Sequence, residues 1–555
     1  MGFNSAVLDP WSQLAPGAIR KLPPGPTFLP DKSTTRPRAY VVDLPGHLQI
    51  RSTPAYEGLA TTFGDWLVQE RWRINQAFEE PTFKLAIILL DCGTPANKMI
   101  SRKPAAGKAP VTPREDWRVH IAAKTRMFDD TRIGPLDDNS VVTDTELVLP
   151  GTPAPPKGAP PLPEGVFTYS DYLKNKDFKR LFYDIICRNL LENFAMEPDH
   201  TVILRGPNTA AKLENGVQSA ADVNCKFRYK EADSVVGYYA TLLSDFDVYI
   251  ESADGDVLLA LLMGCNSRLI PDAVFKSPAD VNKCFKNRVF VIRGQWATYE
   301  NTVVDINLLY YYFIMHGYAF AATHKVMDPK SHQLVEKYTA RNPILDQVVL
   351  AVLSGDNDYV FGSLLPAIGT NTLFVTYLRC FAAFPEGLTY RHVTEAGYIG
   401  CYVDGTALWR FVLCCYHVLY PKLEFDINNL PYSLTKIREM LSDRYKENAP
   451  TVSRMRMMTG HLCWYMNYFA NAAYRLEDYV DPMERRGSRS AWGWRVESVV
   501  KDEQGYNQSF WDENIDVEWI DRLIEPHYRA IEDKKTKLRP PQADPFKLIS
   551  DQMMF

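Results

Sequence analysis

Three short apolar runs, each ending in an acidic residue, constrain the fold of this chain more than any other feature. Residues 39–43 (AYVVD), 85–91 (LAIILLD) and 247–251 (DVYIE) are rich in β-branched, leucine or aromatic side chains. Their length and composition predict buried strands. Helix-like stretches at 56–78 and 178–194 fall between them. Strands alternating with helices predict an α/β fold, a mainly parallel sheet flanked by helices. In such folds ligands collect beyond the carboxyl ends of the strands, which is where these acids stand. With 46% hydrophobic and 12% aromatic residues among 555, the chain can bury a large core or two coupled ones.

Two segments break the rhythm. Residues 102–165 include PGTPAPPKGAPPLPEG, too irregular for a core element, and read as an insertion or exposed loop. Residues 276–342 are mixed and read as a second insertion. Within them 306–322 is strongly apolar, but Asn307, His316, Gly317 and four tyrosines keep it short of the about 20 apolar residues of a membrane span, so it predicts a buried helix. Beyond Arg379, Tyr, Trp, Met and Leu recur at helical spacing. This predicts a core over 1–379, a mostly helical C-terminal region over 380–531 and a charged, proline-broken tail over 532–555.

Composition narrows the function classes. A net charge of -5 argues against a surface that coats nucleic acid, so any polyanion site must be focal. Ten cysteines without a CxxC pair fit a reducing compartment and carry no zinc signature; Cys414 and Cys415 read as core. The first residues show neither a basic stretch nor a long apolar one, and no membrane partner is expected. The expectation is an intracellular protein, of nucleus or cytoplasm.

The chemistry rests on carboxylates. Besides Asp43 and Asp91 there are three acidic groups: Glu231 and Asp233 at the head of a helix-like run, Asp254 and Asp256 after a strand, and Asp356 and Asp358 after an apolar run read as another strand. Singly, each reads equally as a helix cap or a turn residue, and Gly255 between two aspartates could supply a positive φ. Gathered together they are costly, because like charges at close range oppose folding. Hard cations with oxygen ligands relieve that cost, and hydrolysis of a phosphodiester needs such charge at the attacking and leaving oxygens. Asp254 and Asp256, at a strand's end, are expected to face solvent.

In their order and context these residues resemble the 5′-nuclease superfamily, which holds the flap endonucleases and the 5′→3′ exoribonucleases of the Xrn type. The resemblance runs on Asp43, Asp91, Glu231, Asp233, Asp254, Asp256 and Asp358, and on the start Met1-Gly2 followed by an aromatic residue. Glu231-Ala-Asp233 and residues 14–19 (LAPGAI) are similar to the flap endonucleases. Asp91-Cys-Gly-Thr-Pro-Ala-Asn-Lys98-Met99, the segment from Gly397 (GYIGCYVDGTALWRFV), residues 462–469 (LCWYMNYF) and Ser490-Ala-Trp492-Gly-Trp494 resemble the exoribonucleases.

The resemblance implies a PIN-like fold and two Mg²⁺ ions, or Mn²⁺, held by those seven acids. It implies hydrolysis from the 5′ end of single-stranded RNA or DNA, with RNA favoured, and it names no protein partner. Gly2 would let the chain end approach the substrate, and Lys98, Arg102 and Lys103 would clamp a phosphate. After Lys98 the chain departs from the exoribonuclease pattern, which has Gln and Arg where Pro104-Ala-Ala stands. Lys108, Arg114, Arg118, Lys124 and Arg126 either supply that charge or form a solvated face. His47 either stacks on a base or is an ordinary core or surface histidine. Trp492 and Trp494 are either a stacking platform for a terminal base or core residues. A structure-specific 5′ flap DNA endonuclease and a non-catalytic nucleic-acid-binding or scaffold relative are the alternatives.

Overall fold

The structure, a computed structural model, describes residues 5–22, 35–45, 74–91, 199–206, 210–220, 231–295, 300–321, 342–354, 365–377, 387–393, 399–443 and 449–474 with short gaps, Leu190, and the paired two-residue strands 132–133 with 167–168 and 326–327 with 334–335. Helix α1 (Ser5–Leu14) and strands β1 (Ile19–Leu22), β2 (Arg38–Asp43) and β3 (Phe83–Leu89) come first. Strands β4 (Thr201–Arg205), β5 (Ala210–Glu214) and β6 (Val217–Ala220) follow. Helix α2 (Ala232–Leu242), strand β7 (Asp247–Glu251), helix α3 (Gly255–Arg268), strands β8 (Val289–Gln295) and β9 (Glu300–Asp305) and helix α4 (Ile306–Ala321) complete the sheet region.

These strands form one sheet in the order β1-β9-β8-β7-β2-β3-β4-β5-β6. The five central strands, β8-β7-β2-β3-β4, are parallel, and the pairings on both flanks are antiparallel. The sheet is therefore mixed, with its parallel part confined to the centre. The expected strands at 39–43, 85–91 and 247–251 are β2, β3 and β7, side by side. The chain lays β3 and β4 on one side of β2, then returns to place β7 and β8 on the other. Their boundary is a topological switch point, the place where open α/β sheets bind ligands at the carboxyl ends of their strands.

Two readings of the sequence are corrected here. Residues 276–342 do not merely interrupt the core: β8 and β9 lie in the sheet, and Ile306, Leu309 and Phe313 of α4 are buried in the same core. The mixed composition hid this, because an antiparallel return and a helix carry no βαβ rhythm. The run before Ser354 is helix α5 (Pro343–Leu353), where a strand was expected. Pro343 at its first turn and the Asn342 side chain, accepting from the Leu345 N–H at 3.1 Å, start the helix. Residues 344–353 are all buried, so no polar face betrays the helical period.

Beyond α6 (Thr370–Thr376), strands β10 (Thr389–Val393) and β11 (Ile399–Val403) form a hairpin. Helices α7 (Gly405–Leu419), α8 (Leu430–Met440) and α9 (Val452–Tyr474) follow. Cys414 and Cys415 of α7 are buried, as expected. Helix α9 packs against α2, α3 and β11. Among the described residues no helix is long and apolar enough to cross a membrane.

Candidate metal centre

Side-chain alternation brings the acids to one face of the sheet. Ala39 and Val41 of β2, Leu85, Ile87 and Leu89 of β3, and Val248 and Ile250 of β7 are buried in the core that includes α2 and α3. The next residue of the same parity is Asp43, Asp91 and Ser252 respectively. All three are buried. Glu251, of opposite parity, belongs to the other face, where Tyr249 stacks on Phe290; burial pushes its carboxyl up to about 8.

Helices α2 and α3 both begin at this edge. Glu231 is the cap residue of α2 but makes no side-chain cap bond. Asp91 supplies one instead, its Oδ1 accepting from the Ala232 N–H at 3.1 Å. Asp254 caps α3, its Oδ1 accepting from the Asp256 N–H at 3.0 Å. Ser252 ties the two strand ends together: its hydroxyl donates to Asp43 Oδ2 at 2.7 Å and accepts from the Asp254 N–H at 3.0 Å. Asp233 and Asp256 stand in the first turns of their helices. The result is a group in which oxygens of Asp233, Asp254 and Asp256 all lie within 4.8 Å of one another.

Helix α9 reaches this group through Tyr465, whose hydroxyl donates to Asp256 Oδ1 at 2.6 Å. Burial, and then the charge and hydrogen bond of Asp256, hold the Tyr465 phenol well above its ordinary range, with Asp254 and Asp233 adding to the effect. The hydroxyl therefore remains a donor at neutral pH.

The donor chemistry of the group fits a hard divalent cation. Among the described residues its ligands are carboxylate oxygens, with no thiolate or imidazole, the set that suits Mg²⁺ or Mn²⁺. Asp254 is only partly buried, while Asp233 and Asp256 are buried. The expectation that Asp254 and Asp256 face solvent fails for Asp256, which Tyr465 of α9 covers, and holds only in part for Asp254. Asp43, Asp91 and Glu231 border the three-residue group without belonging to it.

Asp358, Gly2, His47, Lys98, Arg102, Lys103, Trp492 and Trp494 lie outside the described residues, as does Asp356. Sequence reasoning missed the parts played by Ser252 and Tyr465. Ser252 carried a signal, a hydroxyl two residues before a capping Asp. Tyr465 stands 209 residues from Asp256, and no local pattern pairs them. Comparison of the chain with protein-family models and with curated proteins gives no match.

Proposed function

We propose that this chain is a divalent-metal-dependent phosphodiesterase of the 5′-nuclease kind, acting from the 5′ end of single-stranded nucleic acid, RNA in preference to DNA. The observation that supports it most is the group Asp233, Asp254 and Asp256, gathered within 4.8 Å beside the ends of the parallel strands. The order of the acids, and the motifs that resemble the exoribonucleases, supply the choice of substrate. Asp233, Asp254 and Asp256 would hold a cation, and Asp43 and Asp91, at the neighbouring strand ends, are the groups for a second. Mg²⁺ or Mn²⁺, when bound, would neutralise charge at the attacking and leaving oxygens of a phosphodiester.

The chain's own contribution is placement. Ser252 holds the Asp43 carboxylate against the start of α3, and the two helix N-termini favour anionic side chains at this edge. The site stands at the switch point, at the carboxyl edge of the parallel strands, where such sheets bind their ligands.

One observation favours a second reading. Asp91 and Asp254 both satisfy backbone N–H groups of helices, so part of the acidic set serves as caps. A non-catalytic relative that binds nucleic acid or acts as a scaffold would need no more.

The deciding assay is degradation of matched 5′-monophosphate RNA, 5′-hydroxyl RNA and flapped DNA, each with Mg²⁺ and with chelator, by the wild type and by Asp256→Asn. We expect loss of the monophosphate RNA from its 5′ end in Mg²⁺ only, and none with the variant. Preference for flapped DNA would move the assignment to a flap endonuclease. Inactivity on all three with either Mg²⁺ or Mn²⁺ would leave the non-catalytic reading.

A further inference from the structure

We propose that Tyr465 is a positioning residue for Asp256, and that through it the seating of helix α9 is linked to cation binding at the acidic group. The inference rests on the reading of that group as a cation site.

A buried phenol is an uneconomical way to fill a core. The ring of Tyr465 packs 4.8 Å from that of Phe469, and phenylalanine would fill the same space. The hydroxyl must find a partner once it leaves water. It finds Asp256 Oδ1 at 2.6 Å, a charge-assisted bond that fixes the rotation of the carboxylate. A ligand whose orientation is held by an outer hydrogen bond binds a cation better than one that rotates, since the ordering has already been done.

Helix α9 is placed to carry this link. It lies across both α2 and α3, whose starts carry Asp233, Asp254 and Asp256. It is fastened independently to β11: Asn467 accepts from the Cys401 N–H at 3.0 Å and donates to the Cys401 carbonyl at 2.7 Å, while Cys463 Sγ accepts from the Val403 N–H at 3.3 Å. A shift of α9 on the α2/α3 pair would draw the Tyr465 hydroxyl from Asp256. Linkage is reciprocal, so a cation that orders Asp256 also holds α9 in place.

The test uses the full chain and Mn²⁺ as the probe. Calorimetric titration of wild type, Tyr465→Phe, Asp233→Asn and, as a packing control, Trp464→Phe should give three grades. Wild type and Trp464→Phe bind Mn²⁺ alike. Tyr465→Phe binds about 10- to 100-fold more weakly. Asp233→Asn does not bind. In the wild type alone, amide hydrogen exchange over 452–474 should slow on adding Mn²⁺, while exchange over 201–214 does not; this arm stands even if Tyr465→Phe does not fold.

Equal affinity of Tyr465→Phe and wild type, or exchange in α9 indifferent to Mn²⁺ in a chain that binds it, overturns the positioning role and leaves the cation site standing. An equal loss in Trp464→Phe also overturns it, since packing alone then explains the effect. A wild type that binds no Mn²⁺ overturns the site itself, and the link with it.

Discussion

Asp254 has two tasks that substitution can separate. As the cap of α3 it satisfies the Asp256 N–H, and as a carboxylate it belongs to the acidic group. Asparagine caps a helix about as well as aspartate, while alanine loses about 1 kcal/mol. With chelator present, loss of one carboxylate charge relieves repulsion within the group, so Asp254→Asn should unfold no earlier than the wild type. Asp254→Ala, which also loses the cap, should lie about 1 kcal/mol below Asp254→Asn in stability, measured by urea unfolding. Both should bind Mn²⁺ more weakly than the wild type; undiminished binding by Asp254→Asn would make the residue a cap and nothing else.

Glu251, on the other face, offers a pH test. Burial raises its carboxyl from an ordinary 4.5 to about 8. The folded chain then keeps a proton that the unfolded chain releases. Its contribution is complete below 4.5 and is lost as pH climbs through 8, so stability falls across that window. Glu251→Gln carries no such proton and should remove the descent, read as the difference in melting temperature between the two proteins from pH 5 to 8 in chelator.

At the scale of elements, the turn from β7 into α3 depends on one hydroxyl. Ser252 both donates to a buried carboxylate and accepts from the backbone that opens the helix. Bonds to charged groups contribute about 1.5–3 kcal/mol each. Ser252→Ala should cost stability in that range, and Ser252→Thr, which keeps the hydroxyl, less; equal costs would mean that packing and not the bond decides. The same elements explain what the sequence revealed. Strands β2, β3 and β7 were legible because each is a short apolar run buried on both faces and closed by an acid. Helix α5 was not, because a helix buried all round, Asp346 and Gln347 included, has no polar face from which to read a period. The acids of α2 and α3 were legible as a series, but their burial was not, since α9 closes on them from more than 200 positions away. Tyr465 belongs to a contact that only the fold creates.

For the whole molecule, the acidic group sets a competition between self-repulsion and the helices that favour it. Two ionised carboxylates with oxygens within 4.8 Å of each other repel by about 3.5 kcal/mol or more at an effective dielectric of about 20. A helix N-terminus returns about 0.3–1 kcal/mol per anion, up to about 2 in partly buried geometry. Repulsion wins, so removing one charge should stabilise the chain when no cation is bound. Asp233→Asn should thus melt higher than the wild type in chelator. Mn²⁺ reverses the order, because a ligand that binds only the folded chain adds about 2.7 kcal/mol at a hundredfold excess over its Kd, and the variant forgoes that gain. The measurement is a pair of melting curves for each protein, with chelator and with Mn²⁺. A crossing of the two proteins between conditions is the signature of a cation site under electrostatic strain. If the wild type melts higher in both conditions by the same margin, Asp233 is held by its helix alone, and the acids at this edge of the sheet are structural caps.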